Sequence, residues 1–172
     1  INGRPLLGYW LQMLAEAGID EIMVNTHHHA ELVRKFILSS PYANLVTLVH
    51  EETLLGTGGT LLQNKEYFSE APVLLIHADN LSIFSIAQFM GAHADRPAHA
   101  DMTMMTFVTE TPQNCGIVVT DQEGIVVEFH EKSKNPPGKI ANAAVYILEP
   151  AVMSLLERLN KAFVDFSTEI IP

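Results

Sequence analysis

The chain has 172 residues, with 10 Lys plus Arg, 20 Asp plus Glu, 8 His and one Cys. Hydrophobic residues make up 48% and charged residues 17%, which suits one globular domain with its own core and excludes a disordered chain. The formal net charge of −10 argues against a nucleic-acid backbone as the main partner. Wholly apolar stretches such as Val73 to Ile76 are too short to span a membrane, and no charged leader precedes an apolar run. A single Cys cannot form an internal disulfide, which fits a reducing cytoplasm.

Pro5 is placed just inside a helix start, and Leu6, Leu7, Tyr9, Trp10, Leu11, Met13 and Leu14 follow. Gly18 supplies the stop, and the density of apolar and small residues predicts a well-buried helix. Glu21 to Asn25 reads as a short buried strand. A helix is expected from Ala30 to Leu38, with Leu32, Val33, Phe36 and Ile37 on its inner face. Leu45 to Val49 is the next strand. A loop from Glu51 to Gly59 carries three glycines and leads into a short helix. Pro72 to Ile76 is a strand, and Ser82 is the expected N-cap of a helix through Phe84, Ile86, Phe89 and Met90.

Met102 to Val108 reads as a strand. Ile117 to Thr120 and Ile125 to Phe129 flank Asp121-Gln122-Glu123-Gly124, a hairpin turn. Ala141 to Leu148 is a further strand, Pro150 opens a helix through Met153, Leu155 and Leu156, and Asp165 or Ser167 can cap a last one. Helix and strand alternate in the first half, which predicts an α/β fold with a doubly wound, mostly parallel, Rossmann-like sheet. The second half inserts antiparallel β pairs into it. The first element is a helix, so a strand and its loop are expected before Ile1.

Three segments can carry chemistry. Leu55-Gly56-Thr57-Gly58-Gly59-Thr60 lies between a strand and a helix, where glycines admit a ligand to the backbone and a helix N-terminus favours anions. It is neither a P-loop nor a dinucleotide fingerprint, and a flexible turn accounts for it equally well. Asp79, in His77-Ala78-Asp79-Asn80, follows an apolar strand and is expected at the carboxyl edge of the sheet, where a carboxylate can hold Mg²⁺. Glu131-Lys132 follows the hairpin; a Glu accepts from sugar hydroxyls and a Lys neutralises a phosphate, although an exposed ion pair explains the two residues taken alone. The run His27-His28-His29 is not read as a metal site, because consecutive side chains diverge and no partners stand at zinc spacing. Cys115 reads as a packed residue rather than a nucleophile.

Taken together, the motifs resemble the sugar-phosphate nucleotidylyltransferases, the nucleotide-diphosphate-sugar pyrophosphorylases, closest in feel to mannose-1-phosphate guanylyltransferase-like members. Ile1-Asn2-Gly3-Arg4-Pro5-Leu6-Leu7 resembles the segment after the family's phosphate loop, and Ala17 to Ile22 the helix-to-strand junction that follows. Glu51 to Gly59 resembles the nucleotide loop with its Leu-Gly-Thr-Ala/Gly-Gly pattern. His77-Ala78-Asp79 stands where Asn-Gly-Asp is usual, and Cys115-Gly116-Ile117-Val118 where a sugar-contacting Gly is usual. Phe129-His130-Glu131-Lys132 matches Phe-x-Glu-Lys-Pro with Ser133 in place of Pro. Asn142 to Tyr146 resembles Asn-Ala-Gly-x-Tyr, and Asp165 to Pro172 the late Asp-Phe-x-x-Asp/Glu-x-x-Pro.

The resemblance implies attack of a sugar-1-phosphate oxygen on the α-phosphorus of a nucleoside triphosphate, with pyrophosphate leaving. It implies Asp79 on Mg²⁺ and Lys132 on the sugar phosphate, both as catalytic groups. Glu131, Gly116 and Asn142 would hold the sugar, and Gly56, Thr57 and Gly58 the ribose and base. Glu51 stands where relatives acting on uracil or thymine often carry Gln. A carboxylate only accepts, which suits the two donors of guanine and favours GTP with a mannose- or heptose-like sugar phosphate. A solvent-facing Glu51 or Glu52 would remove that preference. A glucose-1-phosphate uridylyl- or thymidylyltransferase is the alternative within the family, and a non-catalytic, nucleotide-sugar-binding regulatory subunit is the alternative outside enzymology. The resemblance covers residues 1–172 as a single nucleotidyltransferase domain and is compatible with a homo-oligomer. The family's N-terminal phosphate loop and its second metal-binding Asp would fall before Ile1 and after Pro172.

Overall fold

The computed structural model describes residues 1, 3–68 and 71–171. Asn2 and Pro172, which stand in two of the resembling segments, lie outside the described residues. The chain divides into two compact units, residues 1–54 with 77–88, and residues 55–76 with 89–172.

The first unit begins with helix α1, Leu6–Glu16, which opens after Pro5 and buries Gly8, Trp10, Leu11 and Leu14. Its end is set by Gly18 at φ +83°: the Gly18 N–H donates to the Ala15 carbonyl and the Ile19 N–H to the Leu14 carbonyl, the paired closure that a left-handed residue permits. Strand β1, Ile22–Thr26, and strand β2, Val46–His50, pair in parallel, with Ile22 opposite Val46 and Thr26 opposite His50. Helix α2, Ala30–Ser39, is the crossover that a parallel pair requires. Ile37 is its buried anchor, whereas Leu32, expected on the inner face, is 64% exposed. Leu32 lies in the first turn, five positions from Ile37, so the helical rotation carries it off the Ile37 face.

The second unit is built on strand β7, Ile140–Leu148. Before it come helix α3, Gly56–Gln63, the short helix α4, Lys65–Phe68, and strand β3, Val73–Ile76. Helix α5, Ile86–Ala94, spans the division between the units and leads to strand β4, Met102–Val108. α5 starts later than the sequence predicts. Ser85, not Ser82, accepts the N–H of Gln88 at 3.2 Å, and Phe84 precedes the helix. Strands β5, Gly116–Thr120, and β6, Val126–Glu131, form the expected hairpin. Asp121 Oδ1 accepts from the Glu123 and Ile125 N–H groups, and Gly124 takes the left-handed position of the turn at φ +81°.

β7 pairs antiparallel with β3, β4 and β5. The fold is therefore α/β with mixed strand pairing, as the element order predicts. Its antiparallel share exceeds the expectation of a mostly parallel sheet, since β1 with β2 is the one parallel ladder between strands among the described residues. Helix α6, Pro150–Leu159, and the short α7, Phe166–Glu169, complete the unit. Asp165 caps α7, its Oδ1 accepting the Thr168 N–H at 2.9 Å. Leu61, Tyr146, Leu148, Val152, Leu156, Val164 and Phe166 form the core that joins α3, β7, α6 and α7. No described helix is long and apolar enough to cross a membrane.

The β4–β7 ladder is interrupted once. Met104 faces Tyr146 but Thr106 faces Asn142, so three residues of β7 oppose one of β4. Ala144 sits in this bulge at φ +56°, a conformation disfavoured for any side chain beyond glycine. Asn142 stabilises it, its Oδ1 accepting the Ala144 N–H at 2.8 Å. Ala144→Gly relieves the Cβ strain and is expected to raise stability by about 1 kcal/mol. Denaturant unfolding measures the difference, and an unchanged or lowered midpoint contradicts the strain.

Candidate active site

In the first unit the candidates lie at the carboxyl ends of strands. Glu51 follows β2 and is 4% exposed, whereas Glu52 is exposed. Glu51 is therefore not a solvated surface acid, and a carboxylate so buried must be answered by hydrogen-bond donors. Asn25, near the end of β1, provides one, its Nδ2 donating to Glu51 Oε1 at 3.2 Å. Asp79 lies in the turn three residues after β3 and is exposed. The next residue is pinned from α1. The indole N–H of the buried Trp10 donates to the Asn80 carbonyl at 2.9 Å, and its ring meets Phe84 edge-on at 6.2 Å between centroids. Burying an indole requires an acceptor for its single donor, and here the acceptor is main chain of the segment that carries Asp79.

Among the described residues no group of three His, Cys, Asp or Glu side chains could hold a metal by itself. Asp79 fits Mg²⁺ in a narrower sense. It is one hard oxygen donor open to solvent, and Mg²⁺ commonly takes one or two carboxylates, with water and phosphate oxygens completing its shell. The side chains of the histidine run meet protein groups. His28 and His29 lie against each other at 4.1 Å between centroids with their rings tilted by 58°, and His27 Nδ1–H donates to the Glu51 carbonyl at 2.8 Å.

In the second unit Gly116, Glu131 and Lys132 come together. Gly116 and Glu131 are paired across the β5–β6 ladder. A Cβ on Gly116 would lie 2.5 Å from Phe129 Cζ and 2.7 Å from Glu131 Oε2, so the glycine makes room for the ring and the carboxylate. Lys132 Nζ lies 3.6 Å from Glu131 Oε1, with 70% of the lysine side chain exposed. Lys132 has φ +45°, and its N–H donates to the Cys115 carbonyl at 3.1 Å. Backbone strain held by a specific hydrogen bond at a charged, exposed side chain is common at functional positions.

Asn142 has a more structural position than the sequence implies. Besides holding Ala144, its Nδ2 donates to the Tyr146 hydroxyl at 2.6 Å. Burial pushes the Tyr146 hydroxyl up to about 12; the Asn142 hydrogen bond opposes this, and the charges of Glu131 and Asp165 add to it. The glycine-rich segment also differs from expectation. Gly56 already belongs to α3, so the glycines form a helix start rather than an open loop. A Cβ on Gly56, at φ +71°, would lie 2.5 Å from the Val164 carbonyl oxygen, and one on Gly59 would lie 2.5 Å from that of Ala162. The Gly58 N–H donates to the Val164 carbonyl at 3.0 Å, and the Val164 N–H to the Leu55 carbonyl at 2.9 Å. The chain's own segment 162–164 thus fills the space that these glycines open, and Thr57 is half-buried beside them. Close approach of backbone is needed here, as the motif implies, but the partner on these faces is protein.

The family model for nucleotidyl transferases matches residues 1–172. The mannose-1-phosphate guanylyltransferase of Mycobacterium tuberculosis is 30% identical over 99% of this chain and 46% of its own length. The mannose-1-phosphate guanylyltransferase catalytic subunit beta of Drosophila pseudoobscura pseudoobscura is 27% identical over 98% of the chain and 45% of its own length. The chain thus spans less than half the length of these relatives. Among solved structures, HddC from Yersinia pseudotuberculosis, complexed with GMP-PN, superposes with a TM-score of 0.81 at 20% identity, covering 99% of this chain and 72% of that one. A structure from Bacillus anthracis named as a glucose-1-phosphate thymidylyltransferase, in complex with sucrose, superposes with a TM-score of 0.79 at 19% identity, covering 90% of this chain and 63% of that one. These likenesses show the fold.

Two outcomes follow from the geometry. Gly56→Ala adds a strained left-handed residue and a contact with main chain, and is expected to cost about 3 kcal/mol in a denaturation experiment. A neutral substitution would show that segment 162–164 does not pack there. Tyr146 stays protonated to about pH 12, whereas an unfolded tyrosine ionises near pH 10. Its contribution is complete below pH 10 and is lost as pH rises to 12, amounting to about 3 kcal/mol. Tyr146→Phe should flatten the alkaline fall in stability over that window; an identical fall in the variant assigns it to other groups.

Proposed function

Because the chain belongs to the nucleotidyl transferase family, we propose that it carries the sugar-phosphate part of a site joining a sugar-1-phosphate to a nucleoside monophosphoryl group, with pyrophosphate released. The observation that carries this reading is the Gly116–Glu131–Lys132 group: a carboxylate accommodated by a missing side chain, next to an exposed ammonium on a constrained backbone. The carboxylate accepts from sugar hydroxyls and the ammonium answers the phosphate that bears the attacking oxygen. Lys132 and Glu131 thereby orient the sugar-1-phosphate, so that a phosphate oxygen forms the new bond to the α-phosphorus as the bond to pyrophosphate breaks. Phosphoryl chemistry of this kind needs alignment and charge neutralisation more than covalent help.

Asn142 acts on the sugar through the shape of β7, since both ends of its side-chain amide hold the bulge and Tyr146. Asp79 is the residue that would hold Mg²⁺, which supplies charge neutralisation for the phosphates when bound. Trp10 holds the main chain beside it. Gly56, Thr57 and Gly58 shape the nucleotide side through the start of α3. Glu51 reads the base. Its burial supports a fixed acceptor over a solvated acid, and an acceptor-only group suits the N1–H and amine of guanine. The names of the mannose-1-phosphate guanylyltransferase relatives support GTP and a mannose-like sugar phosphate.

Lys132→Ala, in the whole protein, is expected to lower turnover by about two to three orders of magnitude. The melting temperature should be unchanged, because the side chain is exposed and the Lys132 N–H bond to Cys115 survives the substitution. Pyrophosphate release under saturating nucleoside triphosphate measures turnover. Activity within a few-fold of the parent removes Lys132 from the site.

A further inference from the structure

Three consecutive residues at the end of β1 hold Glu51 at three different atoms. Asn25 Nδ2 donates to its carboxylate Oε1 at 3.2 Å. The Thr26 carbonyl accepts its N–H at 2.8 Å. His27 Nδ1–H donates to its carbonyl at 2.8 Å. A carbonyl can only accept, so this bond also fixes the imidazole with its proton on Nδ1 whenever the ring is neutral. The parallel register with β2 continues to the Thr26–His50 pair, immediately before Glu51. The main chain of Glu51 is therefore held at both its N–H and its carbonyl, and Asn25 holds one carboxylate oxygen.

We propose that Asn25 and His27 are positioning residues for base selection: they fix Glu51 so that its carboxylate meets the donor edge of a guanine base. This rests on the reading of Glu51 as the base acceptor. A flexible Glu would spend side-chain entropy on each binding event, and would accept from many donor arrangements; a clamped one favours a base with donors in one direction. It also gives the first residue of the histidine run a task that its composition does not reveal. Asn25 and His27 act through Glu51 and need touch no substrate.

The test uses the whole protein and compares kcat/KM for GTP with that for inosine triphosphate, which keeps the N1–H of guanine and lacks its exocyclic amine. The parent is expected to prefer GTP. Asn25→Ala is expected to lower the GTP-to-inosine-triphosphate ratio about tenfold, the effect of losing one well-directed hydrogen bond. Asn25→Thr, a strand-favouring residue that retains a donor, should keep part of the preference. If Asn25→Ala does not fold, Asn25→Val, a strand-favouring residue without a donor, takes its place, and an unaltered ratio there overturns the proposal.

Glu51→Gln separates the two levels of the argument. If it changes the ratio while Asn25→Ala does not, the positioning role is overturned and the base reading stands. If the parent shows no preference, or Glu51→Gln leaves the ratio untouched, the base reading fails and the proposal with it. The double variant supplies the readout that a merely structural role would not move. Action through Glu51 predicts that Glu51→Gln with Asn25→Ala has the same ratio as Glu51→Gln alone; additive losses contradict it.

Discussion

Strand β7 bears ladders to β3, β4 and β5, and its ladder to β4 is interrupted once, at Ala144. The bulge changes the register between the Thr106 and Met104 pairings. Beyond it, Val145 to Leu148 are buried, with Tyr146 and Leu148 entering the core against α3 and α6; before it, Asn142 is half-buried. Asn142 serves both regions at once, because its amide oxygen holds the Ala144 N–H and its nitrogen holds the Tyr146 hydroxyl. A strand of regular pleat would leave no residue at +56° and no such bridge.

The same physical device recurs in the candidate site. Lys132 and Ala144 both carry side chains at positive φ, and both are held by a hydrogen bond at their own N–H, from Lys132 to Cys115 and from Ala144 to Asn142. Conformations that cost about 1 kcal/mol or more persist only where surrounding structure enforces them. At Lys132 the return on that cost is a charged group projected to solvent next to Glu131. At Gly116 and Gly56 the solution is the opposite: the side chain is removed so that a carboxylate in one case, and main chain in the other, can come within contact.

Much of this was readable in the residues. Pro5 and Gly18 mark α1, Asp121 to Gly124 mark the hairpin, and Asp165 caps the last helix, because turns and caps are local chemistry. The family was readable from the order of short motifs. What stayed hidden depended on distant partners. Ser82 and Ser85 are equally good caps by composition, and only the observed bond from Gln88 chooses between them. The Gly56-to-Gly59 pattern signals close approach without saying what approaches, and the answer here is a segment about a hundred residues later. Burial of Glu51 follows from clamping by β1, which neither a carboxylate nor an Asn-Thr-His sequence announces. The antiparallel weight of the pairing is not legible in the element order, because alternation of helix and strand fixes a crossover, as between β1 and β2, but not which strands become neighbours afterward.

In the proposed reaction the residues around Glu131 and Lys132 act on a sugar-1-phosphate in a nucleotidyl transfer. The most direct measurement is pyrophosphate release by the whole protein with Mg²⁺, over a grid of GTP, UTP, dTTP, CTP and ATP against mannose-, glucose- and heptose-1-phosphates. The account predicts release that requires both a sugar-1-phosphate and a triphosphate, strongest in the GTP column. A folded whole protein that releases no pyrophosphate in any cell of the grid, or releases it equally without sugar-1-phosphate, would contradict it.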